Sequence, residues 1–179
     1  MRKFAFPPRV FAFFLFIGMV LSFVVLYLGS GTSTLIETLS LLISMLLLFF
    51  LSHPLSHYIV SRLYRVDVKY FFLSKSDFRK IGGAVGRIVG GLIPAIGTKL
   101  DLSQVSRLSR GKRAFLFGSG AIVSNILVAL LLFLALFYLH FTLIALVIGS
   151  LFLVASVLTE IVFGTRVGDL QKMRREYSR

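Results

Sequence analysis

Residues Leu35 to Arg62 read LIETLSLLISMLLLFFLSHPLSHYIVSR. From Leu35 to Leu51 the one charged residue is Glu37, and a helix needs about 20 apolar residues to cross a bilayer. Three further apolar runs of that length surround this one: Phe11 to Gly29, Ala114 to Tyr138 and Phe141 to Phe163. The chain has 179 residues, 57% of them hydrophobic and 15% charged, with a mean hydropathy of +0.92. A soluble domain carries about 25% charged residues, so this chain lacks the charge to wet a globular surface. The sequence therefore predicts an all-α integral membrane protein with four transmembrane helices, over about 11–29, 35–62, 114–138 and 141–163. The length allows one membrane domain, 1–179, and no separate soluble one. Cysteine is absent, which excludes disulfides, thiolate zinc ligands and cysteine nucleophiles. Tryptophan is absent too, so an aromatic belt falls to Tyr and the nineteen Phe.

The net charge is +13, from twenty Lys+Arg against seven Asp+Glu. A basic balance alone points towards nucleic acid, but here position decides. Three basic residues precede the first span, twelve lie between Arg62 and Arg113, and five follow the fourth. The short connections Ser30–Thr34 and Leu139–His140 hold none. By the positive-inside rule both termini, the basic loop 63–113 and the tail 164–179 are cytoplasmic. Arg2, Lys3 and Arg9 ahead of Phe11 also suit a secretory signal, yet the apolar stretch is too long and no small-x-small cleavage site follows. It reads as a retained span. Juxtamembrane Lys and Arg each gain about 1 kcal/mol at an anionic leaflet, so anionic headgroups are the expected partner of the basic loop. An acidic partner or ribosomal RNA is the alternative, and no RNA-binding motif accompanies the charge.

Within that loop, Val66, Val68 and Tyr70 alternate with Asp67 and Lys69, the period of a short strand. Ile81 to Gly97 is apolar and glycine-rich, with Gly82, Gly86 and Gly90 on one helical face as in small-xxx-small packing. Arg87 in its middle and basic flanks on both sides disfavour a fifth crossing and favour a re-entrant, interfacial or strand-like hairpin. Asp101 to Arg113 reads as an amphipathic surface helix, with Leu102, Val105 and Leu108 towards lipid and Arg107, Arg110 and Lys112 towards headgroups.

Ionisable groups inside spans are costly and are functional candidates by default. They are Glu37, His53, His57 and Glu160, with Asp169 just beyond. At about 1.5 Å per residue His53 lies roughly 27 Å along its span from Leu35, and Glu160 about as far along the fourth from Thr142, so the two share a depth. Glu37 lies roughly 24 Å from His53 and belongs to the opposite face. His53 and His57 are spaced i, i+4, which sets both imidazoles on one helical face as a zinc site requires.

His53-Pro54-Leu55-Ser56-His57, at the end of a transmembrane helix, resembles the HExxH motif of the site-2 protease family, the intramembrane zinc metallopeptidases. Two other segments of the chain fit the resemblance. Gly120-Ala121-Ile122-Val123-Ser124-Asn125 is similar to a weakened glycine-proline-x-x-asparagine element, and Gly168-Asp169-Leu170 follows the last span where the family's third ligand, an aspartate, is sought. The resemblance covers roughly residues 35 to 175 and implies zinc held by His53, His57 and Asp169, with Glu160 as a further candidate. The departures carry equal weight. HExxH uses its Glu as the general base acting on zinc-bound water, and that position is Pro54. Proline inside a helix also removes a hydrogen bond and clashes with the carbonyl four residues back, so a kink or a restarted helix is expected at Pro54.

The expectation is a degenerate member of that family, keeping the scaffold without ordinary proteolysis. Such a protein binds membrane-protein partners, transmembrane segments or a second copy of itself, or serves as a subunit of a membrane complex. Two rivals stand beside it: an active protease with Glu160 as base, and a plain membrane anchor without a metal site. Each residue also has a bland reading: His53 and His57 as interfacial histidines after a helix break, and Glu160 as a carboxylate paired with Arg166 or a histidine. Asp169 would be the N-cap of a helix over Leu170–Glu176, Asn125 an inter-helix hydrogen bond, and Glu37 and His140 interface residues without a role.

Overall fold

A computed structural model describes residues 5–75, 94–164 and 169–178. Among these residues four helices are long and apolar enough to span a membrane: α1 Pro8–Gly29, α2 Thr34–Leu63, α4 Arg110–Phe137, and α5 Leu143–Thr159, which runs on into a π-helical turn, Glu160–Gly164. Among the described residues, short helices α3, Leu102–Val105, and α6, Asp169–Tyr177, complete the helical part. α1 starts on Pro8, where the missing N–H costs nothing. Its link to α2 turns at Gly31, whose φ of 71° suits a residue without Cβ. α2 is central and packs against α1, α4 and α5. Outward faces carry large apolar side chains, among them Phe13, Phe14, Ile43, Leu130, Val147 and Leu151.

Pro54 does not break α2. The helix is continuous from Thr34 to Leu63, which corrects the restart expected there. Packing overrides the local preference: Pro54 is fully buried, and the face bearing Leu41, Met45, Leu48, Leu55 and Ser56 is enclosed by neighbouring helices. The helix ends instead at a Schellman turn, in which Val66 N–H donates to the Ser61 carbonyl (2.8 Å), Arg65 N–H to that of Arg62 (3.1 Å), and Arg65 takes φ 57°.

A three-stranded antiparallel sheet amends the all-α expectation. The order is β1 (Ala5–Phe6), β2 (Val68–Lys75), β3 (Pro94–Leu100), with Phe6 opposite Phe71, Phe71 opposite Thr98, and a bulge between Val68 and Tyr70. The alternation at Val66–Tyr70 thus opens a strand, and its partner is the end of the glycine-rich segment. Pro94 opens β3, where a strand tolerates it. Gly97 leaves room for the Phe72 ring, since a Cβ there would lie 2.4 Å from a ring carbon. The rest of the glycine-rich segment, Arg87 included, and with it the expected hairpin, lies outside the described residues.

The amphipathic helix expected over 101–113 is two pieces. The Asp101 carboxylate accepts from Ser103 N–H and starts α3, and the chain reopens at Ser109, the N-cap of α4. Arg113 Nη1 holds the intervening turn by donating to the Leu108 carbonyl at 2.9 Å. Val105 is buried rather than turned to lipid.

Two core clusters follow. One gathers Leu15, Leu55, Val66, Phe71, Val105 and Leu116 around the sheet, the other Leu26, Leu41, Leu48, Val128, Leu131 and Phe141 towards the opposite end of the bundle. At that opposite end Glu37 has a role the sequence concealed: its Oε2 accepts from the Thr142 backbone N–H at 3.0 Å, capping α5 from another helix. Glu37→Ala is expected to destabilise the bundle by about 1–3 kcal/mol by leaving that donor unpaired. Thermal unfolding in detergent checks this, and Glu37→Gln should recover most of the loss.

Candidate metal centre

His53 and His57 lie one turn apart on α2, with ring centroids 5.2 Å apart. Asp169, the first residue of α6, reaches both: its Oδ2 lies 2.9 Å from His53 Nε2 and 2.9 Å from His57 Nε2. The ligating atoms of the three lie within 4.8 Å of one another. His57 is buried and the other two half-buried.

Further contacts restrict what this cluster can do. His57 Nδ1 lies 2.9 Å from the Leu116 carbonyl, an acceptor, so Nδ1 carries the proton. A neutral His57 then aims the lone pair of Nε2 at a carboxylate oxygen 2.9 Å away. Two acceptors at that distance need either a shared proton or a metal ion between them. A backbone carbonyl fixing the tautomer of a metal-binding imidazole is the usual outer contact of such sites. Ser119 Oγ, 3.3 Å from His57 Nδ1, gives a superficial Ser-His-Asp line, but it donates to the Leu116 carbonyl and faces a nitrogen that already holds a proton. No nucleophile is activated there. The second oxygen of Asp169, Oδ1, accepts from Lys172 Nζ at 2.9 Å. Burial opposes the charge on Asp169, but hydrogen bonds from His53 and His57, with Lys172 nearby, hold its carboxyl well below the usual carboxylate range.

The wall opposite the histidines is Gly120 of α4. A Cβ there would lie 2.6 Å from both His53 Nε2 and His57 Nε2, so the two ligating nitrogens converge on a space that only glycine leaves open. Two imidazole nitrogens and a carboxylate oxygen are a donor set that zinc accepts as three of its four ligands. The residues present fit such an ion.

The structure brings together the three residues put forward from sequence as ligands. Glu160 sits half-buried in the π turn, within electrostatic reach of His53 and Asp169 but outside the ligating cluster. Its suggested partner Arg166, and Gly168, lie outside the described residues. Asn125 makes the expected inter-helix bond, accepting from Ser156 Oγ at 2.8 Å, while His140 turns the α4–α5 link with φ 52°. Sequence reading did not single out Lys172, the openness of Gly120 beside the histidines, or the half-buried pair Arg113 Nε–Glu176 Oε2 at 2.7 Å. Only the glycine had a trace in sequence, as one position of the Gly120–Asn125 element. Neither a family profile, a curated protein nor a solved structure matches the chain.

Proposed function

We propose that the chain is a non-proteolytic, site-2-protease-like membrane protein that holds zinc through His53, His57 and Asp169 and serves as a binding partner or subunit for other membrane proteins. The observation that carries this is the meeting of two histidines on one apolar helix with a carboxylate 112 residues beyond His57, around an open glycine. Zinc bound there supplies a Lewis acid. The residues themselves tie α2 to α6. The position that would hold the family's general base is Pro54, which has no acid–base group. In this reading the basic residues lie on the cytoplasmic side against anionic headgroups, with both termini on that side. The outward apolar helix faces are left to lipid and to a transmembrane partner or a second copy.

One feature favours an active protease instead: Glu160 stands within electrostatic reach of the centre. Purified protein incubated with a model transmembrane peptide separates the readings. The expected result is one zinc per chain and no cleavage. Zinc-dependent cleavage lost in Glu160→Gln would establish the active reading. No bound metal, with His53→Ala and His57→Ala indistinguishable from wild type, would leave a plain anchor.

A further inference from the structure

We infer that α6 is a docking latch: its seat on α4 decides whether the third ligand reaches the histidines, and Glu176 and Arg113 are the positioning pair. This rests on the metal-centre reading above. His53 and His57 share one helix, so their spacing is set by helix geometry. Asp169 has no such guarantee, because it belongs to a separate nine-residue helix.

One face of α6 holds the seat. Asp169, Met173 and Glu176 fall at i, i+4 and i+7, while Arg174 and Arg175 are exposed on the other side. Met173 lies over Gly118, where a Cβ would come within 2.5 Å of its Sδ. Glu176 Oε2 meets Arg113 Nε at 2.7 Å, with both side chains about four-fifths shielded (exposures 17% and 22%). The guanidinium is itself oriented, since Nη1 donates to the carbonyls of Leu108 (2.9 Å) and Ser106 (3.3 Å). An exposed ion pair contributes little. This one is half-buried and preset by the turn that opens α4, so it fixes the far end of a helix whose near end bears the ligand. With the far end released, Lys172 competes for the Asp169 carboxylate without a restraint to hold Oδ2 on the histidines.

The test uses full-length protein in detergent, titrated with zinc and, separately, with cobalt(II) as a spectroscopic probe. Glu176→Arg, which sets like charges together, and Gly118→Val, which blocks Met173, should each weaken zinc binding about 10- to 100-fold, the usual cost of losing an outer support. Both should also shift the cobalt(II) d–d spectrum to that of Asp169→Ala, with helix content by circular dichroism unchanged. Glu176→Asp should stay near wild type. A general loss of stability would lower the unfolding temperature without converting the spectrum. Wild-type zinc binding with unchanged affinity and spectrum in Glu176→Arg and Gly118→Val overturns the latch alone. No zinc binding by wild type overturns the metal centre, and the latch with it.

Discussion

Gly120→Ala is expected to remove zinc binding while leaving the bundle folded. The added methyl would stand 2.6 Å from both ligating nitrogens, closer than real Cβ contacts come. α2 and α4 pack closely on each other, and the imidazoles relieve the clash by turning away. His57 cannot turn without giving up the Leu116 carbonyl. The expected loss of zinc affinity is on the order of a hundredfold or more, at the upper end of what disturbed metal surroundings cost. Chelator competition measures it, with circular dichroism to show that helix content persists. Gly111→Ala is the control, since a Cβ there meets nothing within 4 Å. Equal zinc affinity in Gly120→Ala and wild type would mean that the ion, if bound, does not use both Nε2 atoms.

Chelation should have an equally large effect on stability. An ion that binds only the folded protein stabilises it by about 4 kcal/mol at a free concentration near 1,000 times Kd. For a chain of this size each kcal/mol moves Tm by about 2–4 °C, so stripping zinc should lower Tm by roughly 10 °C. His57→Ala and Asp169→Ala should abolish that shift. Glu37→Ala, less stable for another reason and at the opposite end of the bundle, should keep it in full. A chelator-induced drop that persists in Asp169→Ala would place the ion elsewhere.

Much of the fold was legible because a bilayer reads composition. Four apolar runs separated by charged or polar links become four long apolar helices, displaced by only a few residues at their ends. The histidine pair was legible because i, i+4 spacing within one helix is local. That Asp169 joins it was legible only through resemblance, since nothing local links residues 112 apart. What escaped was decided by partners far along the chain. Pro54 reads as a kink or a restart, yet α2 runs through it as one continuous element packed among its neighbours. β3 begins within the glycine-rich stretch expected to form a re-entrant, interfacial or strand-like hairpin, and only the Phe72 ring across the ladder explains Gly97. Glu37 looked idle because its donor is 105 residues away. Val105 looked lipid-facing because α3 was read as part of a longer helix.

The long separation between His57 and Asp169 also sets an order of events during synthesis. At about 5–20 residues per second, the 112 residues between them take roughly 6–22 s to make. Throughout that interval the nascent centre has its two imidazoles without their carboxylate, and its Gly120 wall is added only with α4. On the proposed reading, tight metal capture waits for α5 and α6, so a loaded centre would mark a chain whose last long apolar helix is already made.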